Sequence, residues 1–208
     1  AVLRFDYRGC GESPGQFMDA TLETRLADVT AAADYLRERI DGGELCLAGL
    51  RFGATLAAHA CSEVDGCRWL VLIEPVTDAE RYFERMLQRR KLRQMITSGT
   101  AKEEARTNEI LDLDGYAVRT ETLDRLKRLE VELTEGQEVQ QALVVQLSFN
   151  EKLRPETQRA RENLEKAGAS VCVDRLVMQP FWSRVDITDS AELDEAVVRW
   201  LGGVNRNR

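Results

Sequence analysis

Histidine is nearly absent from this 208-residue chain; His59 is the only one. Acyl transfer by a serine or cysteine nucleophile ordinarily runs through an imidazole base, so such a mechanism would hang on one position. Long apolar runs are missing too. None approaches the ~20 residues that cross a bilayer, and no secretory leader is visible. Basic charge is not in excess. With 29 Lys and Arg against 36 Asp and Glu the net charge is −7, which leaves no global electrostatic case for nucleic acid. Cys10, Cys46, Cys61, Cys67 and Cys172 form neither a CxxC pair nor a Cys/His metal spacing. That odd, unpatterned set points to a reducing compartment, the cytoplasm. Cys46 and Cys172 lie in apolar, strand-like runs and are expected to be small buried thiols. No internal repeat or low-complexity tract occurs, and nothing in the pattern asks for a metal or a cofactor. Ala1 opens on an apolar run with no initiator Met, so the chain is expected to be a fragment or trimmed domain.

What is present suits a soluble globular protein with a real core: 43% apolar and 31% charged residues. Val2–Phe5 reads as a short buried strand. Leu22, Leu26, Val29, Ala33, Leu36 and Ile40 recur at helical spacing, predicting a helix over 20–40 that stops at Asp41-Gly-Gly43. Glu44–Ala48 is a strand, Ala54–Ser62 a helix and Trp69–Ile73 a strand. This alternation predicts right-handed βαβ crossovers and a mostly parallel sheet with helices on both faces. Residues 78–135 interrupt it. They read as charged and helical, without a strand, over 79–96, 101–110 and 120–129, with a turn and a short extended piece at Leu111–Tyr116. The alternation resumes with a strand at Ala142–Leu147, a helix at Pro155–Ala167, a strand at Val171–Val177 and a helix at Ala191–Leu201. The predicted organisation is a core in two parts, 1–77 and 136–208, with 78–135 as a helical cap.

The stretch Leu45-Cys-Leu-Ala-Gly-Leu-Arg-Phe-Gly-Ala54 has the form Gly-x-nucleophile-x-Gly at a strand-to-helix turn, and Phe5-Asp-Tyr-Arg-Gly-Cys-Gly-Glu-Ser13 is similar to the Asp-x-Arg-Gly-x-Gly-x-Ser turn of α/β hydrolases. With the order of elements, these identify the chain as resembling that superfamily from its middle strands onward, so further strands would precede Val2. More narrowly it resembles the second exosortase-A-associated hydrolase family, found with exopolysaccharide and PEP-CTERM sorting systems. The matching stretches are Gly49–Ala54, Glu74-Pro-Val76 with Tyr82-Phe83, Asp114-Gly-Tyr116, and Pro180-Phe-Trp182 with Asp186-Ile-Thr188. The resemblance implies arginine as the usual elbow residue, and a hydrolase by fold, which does not fix the activity. In such an elbow Gly49 and Gly53 would let strand, turn and helix pass close together.

The nucleophile position holds Arg51, whose guanidinium stays protonated and has no usable lone pair. The loop after Ala142–Leu147 offers Asn150 and Glu151 where the acid belongs, and Glu151 suits the role. The loop after Val171–Val177 reads Met178-Gln-Pro-Phe-Trp182, placing Gln179 where the base belongs. His59 lies eight residues past Arg51, roughly 12 Å along a helix, and is read as a packing or surface residue. Arg51, Glu151 and Gln179 therefore make a degenerate triad. Ser13 and Cys10 are alternative nucleophiles, although Gly9 and Gly11 with a self-bonded Ser13 explain that turn without catalysis.

Two readings of Arg51 stand together. One is an anion pocket at the mouth of the sheet, lined by Arg51, Phe52, Asp6, Glu74 and Trp182. It would take an anionic small molecule, such as an acidic saccharide, a phosphorylated lipid-linked intermediate or an acyl carboxylate. The other is an internal pair of Arg51 with Glu74 or Asp6, and it is slightly favoured. Phe181-Trp182 either lines the pocket mouth or packs in the core. Between residues 81 and 93, Arg81, Arg85, Arg89, Arg90, Lys91 and Arg93 face one acid, Glu84. This is a contact face for acidic polysaccharide, anionic lipid or an acidic protein, or simply a solvated helix with Tyr82, Phe83, Met86, Leu87 and Met95 turned inward. Asp186, Asp189, Glu192, Asp194 and Glu195 read as a helix N-terminal run that complements the dipole. The function read from the sequence is a degenerate or non-classical hydrolase of exopolysaccharide or envelope metabolism. The alternatives are an anion-binding or scaffold protein and an ester or thioester hydrolase with another nucleophile.

Overall fold

The computed structural model describes residues 1–40, 43–98, 110–113, 115–133, 138–149, 152–182 and 189–204. In chain order the elements are α1 (Leu22–Arg37), β1 (Leu45–Leu50), α2 (Phe52–Ala60), β2 (Cys67–Ile73), α3 (Ala79–Ser98), β3 (Ile110–Leu113), β4 (Tyr116–Arg119), α4 (Thr120–Leu126), β5 (Gln141–Leu147), α5 (Pro155–Lys166), β6 (Ser170–Leu176) and α6 (Ala191–Val204). They fall into two compact units. One comprises Ala1–Asp41 with Asp78–Glu130, the other Gly42–Thr77 with Val131–Arg208.

The second unit is built on a four-stranded sheet in the order β1-β2-β5-β6. All three pairings are parallel, with Leu50 beside Ile73, Ile73 beside Val145, and Leu147 beside Leu176. The strand ends are therefore in step, and the segments leaving them start from one edge. β5 is buried at every residue from Ala142 to Leu147, as a strand covered on both faces should be. Side chains alternate across the pleat. Leu143, Val145 and Leu147 join Val71 and Leu193 in one cluster, with Trp182, Val197 and Trp200 packed against it. Gln146, on the opposite face, accepts from the Thr157 hydroxyl of α5 at 2.8 Å. α6 and α5 thus cover opposite faces.

In the first unit, α1 is capped by Thr21. Its hydroxyl accepts from the Thr24 N–H at 3.3 Å while the Thr24 hydroxyl accepts from the Thr21 N–H at 2.8 Å, a reciprocal cap. Val29 and Ala33 are buried, and the Arg25 guanidinium lies 4.9 Å from the Phe17 ring centre. α3 starts after Asp78, whose carboxylate accepts from the Arg81 N–H at 2.9 Å. β3 and β4 form an antiparallel hairpin.

Several sequence expectations change. Val2–Phe5 takes no place in a ladder, and Val2 is 96% exposed. The 78–135 segment was expected to lack strands but contains β3 and β4. The Asp-Gly pair at 114–115 is a hairpin signal, and Gly115, at φ 100°, donates its N–H to the Asp112 carboxylate at 2.7 Å. Cys172 is exposed, because β6 is an edge of the sheet among the described residues. Met95 is also exposed. Twelve residues past buried Phe83, it has turned about a third of a revolution off the inward face. The helix expected over 101–110 falls outside the described residues, apart from Ile110, which opens β3.

Candidate functional site

Each of the four strands sends one relevant side chain to the same edge. Arg51 follows β1, Glu74 follows β2, Arg154 lies beyond β5 and Trp182 beyond β6. Arg51 occupies the bend itself, with φ 56° and ψ −124°. A non-glycine residue held there costs roughly 1–3 kcal/mol and persists only where its surroundings enforce it. The enforcement is visible. The Arg51 N–H donates to Ile73 O at 2.9 Å, and its carbonyl accepts from the Ala54 N–H at 3.0 Å. A Cβ on Gly49 would meet Gly53 O at 2.3 Å and the Ala54 backbone at 2.5 Å, so only glycine lets β1 pass under α2. A Cβ on Gly53 would meet nothing within 4 Å, so the second glycine of the motif is not needed for clearance.

Glu74 is the second strained residue, at φ 49°, and its side chain is 2% exposed. Its carboxylate is fully used. Oε1 accepts from the Leu147 N–H at 2.6 Å and from Arg154 Nη2. Oε2 faces Arg51 Nη1 at 3.4 Å, and the same nitrogen lies 3.4 Å from Glu74 O. Two guanidiniums therefore share one buried carboxylate. Both cations also reach solvent, with Arg51 28% and Arg154 40% exposed at the side chain. The Arg51 guanidinium lies 4.9 Å from the Trp182 ring centre, a cation–π contact, and Phe181 meets that ring edge-on at 5.6 Å. Trp182 packs against the sheet cluster, as the core-packing alternative expected, and also touches the arginine.

Arg154 and its support escaped sequence reasoning. Gln146 is wholly buried on β5. Its side chain donates to Lys152 O at 3.0 Å and accepts from the Arg154 N–H and the Thr157 hydroxyl, each at 2.8 Å. One buried amide therefore folds the loop back and delivers Arg154 to Glu74. The available signal was Arg154-Pro155, since proline at the first helical position fixes where α5 begins and so which residue caps it at the sheet edge.

The remaining candidates are placed as follows. Phe52 opens α2 and is half-buried. Gln179 is exposed in the segment after β6. Glu151 lies outside the described residues. His59 sits in the last turn of α2, the end away from Arg51. Asp6 is exposed in its own turn and accepts from the Glu12 N–H at 3.3 Å. A Cβ on Gly11, at φ 50°, would run into that carboxylate at 2.2 Å. The Ser13 hydroxyl donates to Asp6 O at 2.7 Å, so it is engaged in its turn, and Cys10 is half-buried beside it. Among the described residues no group of His, Cys, Asp and Glu could hold a metal ion, and no helix is long and apolar enough to cross a membrane.

No protein-family model matches the chain, and no curated protein matches it in sequence. Solved structures do. Est1E from Butyrivibrio proteoclasticus, with ferulic acid bound, matches at TM-score 0.57 and 20% identity, covering 82% of this chain and 65% of that one. Mouse alpha/beta hydrolase domain-containing protein 10 matches at TM-score 0.59 and 14% identity over 99% and 78%. An esterase from Pyrococcus furiosus matches at 0.54 and 14% over 95% and 69%. The chain spans just under two thirds of the length of Est1E. With identities this low, the likeness speaks for architecture alone: a parallel sheet, helices on both faces and a glycine-tightened bend after β1 give this chain the α/β-hydrolase fold.

Proposed function

We propose that this chain is a non-hydrolytic α/β-hydrolase-fold protein that binds an anionic ligand where a hydrolase would carry out covalent attack. The observation carrying this reading is the pair of half-exposed guanidiniums, Arg51 and Arg154, that share the single buried carboxylate of Glu74. Glu74 holds both forks in place, and both side chains still reach solvent. A carboxylate or phosphate oxygen is the natural complement of such forks. Trp182 stacked on Arg51 supplies an apolar wall suited to a sugar ring or acyl chain. The elbow-arginine stretches quoted above support the exosortase-associated type, acting in the cytoplasm on an acidic saccharide or phosphorylated intermediate of exopolysaccharide or envelope metabolism. Turnover through Ser13 is the weaker reading, because its hydroxyl already donates to Asp6 O.

Inorganic phosphate and glucuronate, titrated separately, should raise the thermal midpoint of the wild-type chain. A ligand at a hundred times its Kd adds about 2.7 kcal/mol. Arg51→Ala and Arg154→Ala should each reduce that rise. A rise of equal size in both variants, or ester hydrolysis that survives Arg51→Ala, would overturn the reading.

A further inference from the structure

The outward face of α3 carries charge and apolar surface together. Arg81, Arg85 and Arg89 recur every four residues, and Leu92 and Ile96 continue the same stripe at three and seven residues further on. All five are exposed, with Leu92 at 59% and Ile96 at 76%, and Met95, beside them, is 51% exposed. The stripe runs about 23 Å along the axis. The helix's two acids, Glu80 and Glu84, each precede an arginine of the stripe by one residue and so lie about 100° round the axis. The opposite side is occupied: Phe83 is buried, and Arg90 is tied to Asp112 through the backbone carbonyl at 2.7 Å. An acidic chain thus concentrates cations on one helix face and places bare aliphatic side chains among them.

A soluble polyanion, whether polysaccharide or RNA, would neutralise the arginines but leave Leu92, Met95 and Ile96 in water. A lipid surface satisfies both, because guanidiniums reach the phosphates while the aliphatic tips enter the acyl boundary. We infer that the outward stripe of α3, Arg81-Arg85-Arg89 with Leu92, Met95 and Ile96, docks the protein in the plane of an anionic bilayer surface. α3 lies on that surface, consistent with its being too polar to span.

The test is flotation of the full chain with vesicles of phosphatidylcholine alone and of an equimolar phosphatidylglycerol mixture, with soluble dextran sulfate as a third arm. Binding to the mixed vesicles alone is expected, weakening as salt is raised. Each arginine near such a surface is worth about fivefold in partitioning, so Arg85→Gln with Arg89→Gln should weaken binding about twenty-fivefold. Leu92→Ser with Ile96→Ser, which keeps every charge, should weaken it at least about tenfold. Equal binding to neutral vesicles, no binding to either, or a serine variant that binds as wild type would overturn the inference. The last outcome, together with tight dextran sulfate binding, would make the face a polyanion site. All four positions are exposed, so the variants should melt as wild type. The assay does not involve Arg51 or Arg154 and stands whether or not the anion site does.

Discussion

Deleting the Glu74 carboxylate would strip Arg51 and Arg154 of their shared acceptor and leave the Leu147 N–H unpaired. Breaking a buried pair from its buried side is expensive, because the two guanidiniums that Glu74 holds together then repel and the buried Leu147 N–H loses its acceptor. Glu74→Ala should cost about 3–5 kcal/mol in denaturant unfolding. Glu74→Gln should cost less, since an amide oxygen still accepts from Leu147. Arg51→Ala should cost least, because Glu74 keeps Arg154 and the N–H, and the lost guanidinium was partly solvated. A reversed order would show that Glu74 is not the organising charge. Cys46 gives a second residue-level test. Burial, with a smaller contribution from neighbouring Cys67, pushes its thiol from an ordinary value near 9 up to about 12. A raised value means that the folded state resists losing this proton. The stabilisation is complete below about pH 9 and disappears as pH climbs through the folded value near 12. Cys46→Ala should therefore show a shallower fall of thermal midpoint than wild type above pH 9, and parallel curves would deny the thiol this role.

At the level of elements, the loop from β5 to α5 depends on a single side chain. Gln146→Leu keeps the volume and removes three hydrogen bonds, leaving the Arg154 N–H and Lys152 O without their buried partner. Each unsatisfied group costs about 1–3 kcal/mol. The variant should lose stability and also respond less to phosphate, although Gln146 touches neither solvent nor ligand. A destabilised variant with an undiminished phosphate response would reduce Gln146 to a packing residue. This loop also shows what the sequence could not reveal. Helices and strands were legible because their periods are local: Val29 and Ala33 mark the buried face of α1, and the all-buried run of β5 marks a central strand. Arg154 acquires its meaning only when β2 and β5 are set side by side and Glu74 comes within reach of it. The β3–β4 hairpin was partly legible in the Asp-Gly pair of the sequence but was obscured by the charge around it. The exposure of Cys172 follows from the place of β6 at a sheet edge, which no single strand records.

Across the whole molecule, hydrolysis is a question of which loops meet at one sheet edge. Parallel strands in step bring the ends of β1, β2, β5 and β6 together, so a serine at the elbow would stand where serines attack. That alone does not make it a nucleophile. A serine hydroxyl needs a base to take its proton, ordinarily an imidazole, and the segment after β6 supplies Met178-Gln-Pro-Phe-Trp182. The one imidazole, His59, occupies the far turn of α2 and cannot approach without unwinding a helix whose other residues are largely buried. Glu74 would remain engaged with Arg154 and the Leu147 N–H, acting as an acceptor for them rather than as a base. Arg51→Ser should therefore fold, retain the bend and show no p-nitrophenyl acetate turnover above the background rate. General-base assistance, typically worth about 10²–10⁴ in rate, would be missing. Steady ester turnover by the purified variant, abolished by a fluorophosphonate, would mean that a base reaches position 51 from elsewhere in the chain, and that the fold keeps a catalytic capacity which only the arginine suppresses.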